Sequence, residues 1–191
     1  MSDLEAGGGI TRRLWPMETD KFRDHLLRLD PESRRMRFAH SVSDAFIEAY
    51  ANRMTEYGSL VYGRLADGKV RGAAELRRLG DTWDEAEAAF SVERPYQNHG
   101  VGTHLMSRVV RAARNRNIRR LYLSCLADNA RMQAIARKHA AVLRFDYGDD
   151  VVGEILPAQP DYCSLATEAV EDRMGFIIAV LDLQAQWVRA A

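Results

Sequence analysis

Cysteine is scarce: Cys125 and Cys163 are the only two in 191 residues, which excludes a disulfide framework and any C-x-x-C metal or redox motif. An excess of one charge is lacking too, with 27 Lys plus Arg against 27 Asp plus Glu. No net field draws the chain to nucleic acid or to an anionic membrane, and neither is expected as a partner. Long hydrophobic runs are missing; none approaches the roughly 18 residues of a membrane span. The opening MSDLEAGGGI has no basic stretch followed by an apolar one, the layout of a signal peptide. A cytoplasmic protein is expected, with residues 1–9 a flexible leader. The histidines, His25, His40, His99, His104 and His139, fall at no metal-ligand spacing, so no metal is expected.

What is present suits a soluble globular domain: 47% apolar and 28% charged residues. The length fits one domain with a modest appendage. Ile10 to Trp15 reads as a strand stopped by Pro16. Glu18 to Leu29 has helical spacing through Phe22, Leu26 and Leu29, and a second helix runs from Ser43 or Asp44 to about Met54. Ser59 to Leu65 and Val70 to Leu76 form a hairpin about Asp67-Gly68. In Ala86 to Val92 the even residues are apolar, while Glu85, Glu87, Ser91 and Glu93 make a polar odd face that looks onto something wet.

After Pro95 a glycine turn leads into a helix from Val101 to about Arg116, striped by Gly102, Leu105, Met106, Val109 and Ala113. A strand through Leu121, Leu123 and Cys125 follows, then a helix from Asn129, then strands Val142 to Tyr147 and Val151 to Leu156. Asp161 to Arg189 reads as one helix, with Pro157 and Pro160 as the only linker. The order predicts an α/β (α+β) domain, a mixed sheet with helices on both faces, over residues 10–157, and a helical extension over 158–191.

The turn carries the chemistry. Gln97-Asn98-His99-Gly100-Val101-Gly102-Thr103 lies between a strand and a helix, where unpaired N–H groups and the helix dipole favour an anion. Gly100 and Gly102 let a diphosphate approach the backbone with no Cβ in the way. A Rossmann G-x-G-x-x-G fails, because Leu105 stands where its third glycine belongs, and no Gly-Lys-Ser or Gly-Lys-Thr offers a P-loop.

Gln97 to Gly102 matches Gln/Arg, two residues, Gly, one residue, Gly/Ala, and here the chain resembles the GCN5-related N-acetyltransferase (GNAT) family. Ala86-Glu87 to Val92 is similar to that family's fourth strand, and Asp128-Asn129 with Met132 to the start of its fourth helix. Pro31-Glu32-Ser33 and Arg37-Phe38 look like the acetyltransferase domain of bacterial protein-lysine acetyltransferases. The resemblance implies a mostly antiparallel central sheet and acetyl-coenzyme A as cosubstrate. It also implies that the N–H groups from Gln97 through Asn98, His99, Gly100, Val101 and Gly102 to Thr103 hold the pyrophosphate. Val92 would offer backbone bonds to the pantetheine arm, and Asn129 a side-chain contact to it.

An alkyl ammonium must shed a proton before it attacks a thioester. Glu87 is the chosen base, on its place in the strand and on the resemblance; Glu75 and Glu93 stand in reserve. The family's tyrosine acid is missing, with Ala136 at that position, and its Gly-Phe is replaced by His139-Ala140. Buried packing is expected of Cys125. Two functions stay open: acetyl transfer to a primary amine, protein lysine or small molecule, in a ternary complex, or a non-catalytic acetyl-coenzyme A sensor or scaffold. Apolar residues on every side of Phe176 to Leu181 predict that the terminal helix meets a second copy in a homodimer.

Overall fold

The Asp67-Gly68 turn opens the sheet. Both residues have positive φ (52° and 70°), the type I′ geometry whose twist suits a two-residue hairpin, and only Gly or Asp and Asn accept it readily. It joins β2 (Ser59–Ala66) to β3 (Lys69–Leu79). The computed structural model describes residues 9–56, 58–145 and 150–190. The expected leader, apart from Gly9, and the end of the expected strand at Tyr147 lie outside them.

Around the hairpin stand β1 (Ile10–Leu14), β4 (Glu85–Val92), β5 (Arg120–Leu126), β6 (Val142–Phe145) and β7 (Asp150–Ile155), in sheet order β1-β2-β3-β4-β5-β7-β6. Every neighbouring pair is antiparallel except β4 with β5. The helices are α1 (Thr19–Arg28), α2 (Pro31–Phe38), α3 (Asp44–Asn52), α4 (Val101–Asn115), α5 (Ala130–Lys138) and α6 (Tyr162–Ala190).

Strand alternation builds two cores. Leu60, Tyr62, Ala74, Leu76, Ala88 and Leu123 meet Leu105, Met106 and Val109 of α4 on one face. Val61 and Ala73 meet Phe22 and Leu26 of α1 and Ile47 of α3 on the other. Each such side chain contributes roughly 1.5–3 kcal/mol on full burial. No helix among the described residues is long and apolar enough to cross a membrane.

Two expectations need correction. Three helices, not two, precede β2: α2 starts where Asp30 accepts the Ser33 N–H at 3.1 Å and Pro31 takes the first turn. It has no buried residue, so the hydrophobic period gave no sign of it. The odd face of β4 is also less wet than its letters suggest, since Ser91 and Glu93 are buried beneath α1.

α6 lies along β1 and α4. Arg13 pairs with Asp172 at 3.2 Å, Arg116 with Glu168 at 2.7 Å, and Lys21 with Asp182 at 3.3 Å. Beneath it Arg12 makes a two-pronged bond to Glu18 at 2.6 Å, with both side chains no more than 3% exposed. Burial alone would raise the Glu18 pKa, but the bonds and charge of Arg12, then of Lys21, hold it below the usual range. Removing one partner of such a pair strands the other charge. Glu18→Gln is expected to cost about 3–5 kcal/mol in urea unfolding, and adding Arg12→Met to Glu18→Leu should recover most of it.

Candidate active site

β4 and β5 run side by side for four residue pairs, from Glu85↔Arg120 to Ala88↔Leu123, and then part. β4 keeps to β3 as far as Val92↔Gly72, and β5 keeps to β7 as far as Leu126↔Asp150. A wedge-shaped gap opens between them.

The hydrogen-bond alternation decides what faces that gap. Glu93 N–H donates to Arg71 O at 2.9 Å, so the odd residues of β4 spend their backbone groups on β3 and the even ones turn theirs toward β5. Beyond Ala88 there is no β5 residue to receive them. Phe90 and Val92 therefore present main-chain donors and acceptors to the gap, the arrangement that lets an extended ligand add itself as a strand. Gln97 Nε2 donates to Val92 O at 2.9 Å and to Ser33 Oγ at 3.1 Å, and Arg131 donates to Gln97 Oε1. The side chain of Gln97 thus ties the turn to β4, α2 and α5, a role the sequence reading had not given it.

At the wide end lies the glycine turn. Asn98 (φ 64°) and Gly100 (φ 79°) are both left-handed, and α4 starts at Val101. The first intrahelical donor is His104, to Gly100 O at 3.0 Å, so the N–H groups of Val101, Gly102 and Thr103 precede the helix's own bonding. Gly102 also serves packing: a Cβ there would stand 2.9 Å from Ile135 Cδ1 on α5. Asn98 and His99 are exposed, and Asn129 caps α5 by accepting the Met132 N–H at 3.1 Å. These residues suit an anion at the turn and an amide-bearing arm along the gap.

At the narrow end is a pocket of about 220 Å³, lined among others by Phe38, Tyr50, Glu75, Glu87, Ser124 and Cys125. The three carboxylate candidates, Glu75, Glu87 and Glu93, differ sharply in surroundings. Glu75 is buried, bound by Arg37, by the Tyr50 hydroxyl at 2.9 Å and by Arg77 at 3.5 Å. Glu93 lies outside the pocket and faces His25 at 3.3 Å, Arg28 at 2.9 Å and Arg71 at 3.0 Å. Glu87 is half-buried and accepts a bond from Ser124 Oγ at 3.5 Å. Among the described residues no group of three His, Cys, Asp or Glu could hold a metal. A wider groove of about 800 Å³ runs between β1, α4 and α6, and none of Gln97 to Thr103 lines it.

A family model described as "Acetyltransferase (GNAT) family" matches residues 14–141. The chain belongs to the GNAT acetyltransferase family. The GNAT fold is seen again in solved structures. The GNAT domain of S. lividans PAT superposes with a TM-score of 0.70 at 22% identity, over 81% of this chain and 94% of that one. A GNAT acetyltransferase from Streptococcus pneumoniae gives 0.63 at 17%, over 78% and 99%. The protein yncA from Salmonella typhimurium, solved with its cofactor acetyl-CoA, gives 0.59 at 16%, over 82% and 100%.

In this GNAT chain the polar row beside β4 is structural. His25 is wholly buried, and burial pushes its pKa down despite Glu93, so the neutral ring donates from Nδ1 to Glu93 and accepts at Nε2 from Ser91 Oγ at 2.9 Å. Desolvation alone would raise the Glu93 carboxyl; bonds from His25 and Arg71, then the charge of His25, protonated in acid, and that of Arg28 bring it to about 2. Its folded pKa lies below the ordinary 4.5, so its stabilisation is complete above pH 4.5 and is lost as pH falls toward 2. Glu93→Gln should lower stability near pH 7 by about 3 kcal/mol and flatten the acid limb of a Tm–pH profile between about pH 5 and 2.

Proposed function

We propose that this chain transfers acetyl from acetyl-CoA to a primary amine, a protein lysine or a small-molecule amine, by direct attack in a ternary complex. The observation that carries the reading is the gap itself: backbone of Phe90 and Val92 with no strand partner along one wall, α4 amides ahead of the helix's own bonding at its wide end and Glu87 at its narrow end. The N–H groups from Gln97 to Thr103 hold the pyrophosphate, with the dipole of α4 behind them. Val92 and Asn129 hold the pantetheine arm. Val92 O, which accepts Gln97 Nε2, has a second lone pair for the ligand, and Asn129 has its amide donors to offer while its oxygen caps α5. Acetyl-CoA supplies an activated thioester; the protein orients it and manages protons.

Glu87 takes the proton that the nitrogen must lose. Glu75 is committed to two arginines and a tyrosine, and Glu93, at about 2, is too weak a base. Glu87 has a single weak hydroxyl partner to give up. Phe38 and Tyr50 at the pocket wall offer apolar surface to the stem of an amine, their ring faces being covered by Arg37 and Arg77.

One observation favours a sensor or scaffold instead: Ala136, fully buried, stands where the family's tyrosine acid belongs. Thiol release with an amine panel separates the two, since a sensor binds acetyl-CoA without releasing thiol. Glu87→Gln should lower turnover by about 10²- to 10⁴-fold and spare acetyl-CoA affinity. Gly100→Val, which forces a β-branched residue into left-handed φ at the turn, should weaken acetyl-CoA binding in calorimetry while the fold persists. Unchanged affinity in that folded variant would count against the pyrophosphate assignment.

The reading places the protein in the cytoplasm, where the free thiols of Cys125 and Cys163 stay reduced. It also pairs two copies through α6. Val170, Met174, Ile177, Leu181 and Val188 are all exposed, and with Gln184 they fall alternately four and three residues apart, the spacing of a helix–helix seam. Light scattering should give twice the chain mass for the intact protein and a single chain mass for Ile177→Asp with Leu181→Asp. Intact protein that stays at single mass at high concentration overturns the dimer.

A further inference from the structure

The gap leaves one task unassigned, the proton for the departing sulfur. Three side chains in the narrow-end pocket carry an O–H or S–H: Tyr50, Cys125 and Ser124. Tyr50 gives its hydroxyl to Glu75 at 2.9 Å and receives Arg37, and burial raises its phenol further. Cys125 belongs to the buried row of β5 with Leu121 and Leu123; it is 5% exposed, and burial, then Asp150, raise its thiol. Ser124 is different on each count.

It is exposed, and it is the first residue of β5 beyond the last pair with β4, Ala88↔Leu123. In the register Glu87 lies beside Tyr122, so Ser124, two residues on, projects from the same face as Glu87, and its Oγ stands 3.5 Å from Glu87 Oε1. A ligand arm laid along Val92 and Phe90 ends where the strands rejoin, between these two side chains. Glu75, Arg37, Arg77 and Asp150 complete the charged lining of the pocket, and the first three are engaged with one another.

Resting on the acetyl-transfer reading, we propose that Ser124 is a second catalytic residue, which hands a proton from Glu87 to the departing thiolate. An alcohol is too weak an acid to be left ionised, so it can donate only while it is reprotonated, and Glu87 is the group within reach to do that. The balance closes. The nitrogen lone pair forms the C–N bond, and the C–S bond breaks with its electron pair left on sulfur. An ammonium loses two protons on becoming an amide. The first passes to Glu87 before attack and then through Ser124 Oγ to sulfur, and the second leaves Glu87 for solvent.

The test begins with coenzyme A, the free thiol, and needs no turnover. Its titration in the bound state is followed by thiolate ultraviolet absorbance against pH, in the intact protein and in Ser124→Ala. Loss of a hydroxyl donor to the thiolate should raise the bound thiol's midpoint by about one to two units, and Ser124→Thr should restore it. In turnover, Ser124→Ala should lower kcat at least about tenfold with the amine KM unchanged. That deficit should shrink with an acetyl thioester of a more acidic thiol, while the Glu87→Gln deficit stays. Equal midpoints in the two proteins, with coenzyme A bound to both, overturn the role of Ser124 and leave acetyl transfer standing. Failure of the intact protein to bind coenzyme A defeats the acetyl-transfer reading and this inference with it.

Discussion

A pair of strands that stops pairing partway must leave backbone N–H and C=O groups without partners, and a fold normally avoids that. Here the cost is contained because each strand is anchored on its other side. β4 is paired with β3 along its whole length, and β5 with β7 from Leu121 to Leu126. The parting after Ala88 and Leu123 can therefore persist without unravelling the sheet. Everything that gives this protein a site follows from it: the turn sits at the mouth of the gap, the carboxylate pocket at its apex, and α4 and α5 rise from the two diverging strands. Gln97 shows how the open edge is satisfied without a ligand. Its amide bonds Val92 O, a single side chain standing in for one missing ladder bond.

α2 spans the same opening from the other side. Ser33 receives Gln97 next to β4, Arg35 reaches Asp128 after β5 at 2.6 Å, and Arg37 grips Glu75 on β3. α2 has no buried residue, so beyond the packing of Phe38 against Phe46 and Tyr50 it is these polar bonds that hold it. The Gln97 amide that bonds Val92 O is also the one α2 holds through Ser33. Exposed pairs such as Arg35 with Asp128 are individually weak, so the buried Arg37–Glu75 pair is the firmer of these ties.

The sequence showed the parts of this fold that repeat locally. Period-two alternation located β4 and β5, period 3.6 located α1, α4 and α6, and Asp67-Gly68 announced its hairpin. The GNAT resemblance came from the turn at Gln97 to Gly102, because two glycines at a strand-to-helix junction are a local constraint. What escaped was set by distant partners. Ser91 and Glu93 look solvent-facing beside Glu85 and Glu87, yet His25, 68 residues before Glu93, draws them under α1. α2 has four charged residues in eight and no apolar stripe; its only signal was the Asp30-Pro31 start. The link from Gln97 to Ser33 spans 64 residues, and no period encodes it.

The three candidate glutamates, Glu75 on β3, Glu87 on β4 and Glu93 just past its end, show how position outranks residue type. All are carboxylates on one face of the same sheet, within reach of arginine-rich surroundings. Glu93 meets Arg28, Arg71 and a histidine N–H, which fix it as an anion down to about pH 2, and an anion so well satisfied has no use for a proton. Glu75 meets Arg37, Arg77 and Tyr50, and its service is to hold α2 and α3 against β3. Glu87 lies one pair before β4 and β5 part, and its side chain lines the pocket. A base must be able to exchange its partner for a proton without leaving a buried charge unmatched. Of the three, only Glu87 has no arginine among its partners in the described residues; Ser124 Oγ bonds it at 3.5 Å, and in the proposed chemistry that hydroxyl turns from carboxylate to sulfur at the cost of a single weak bond.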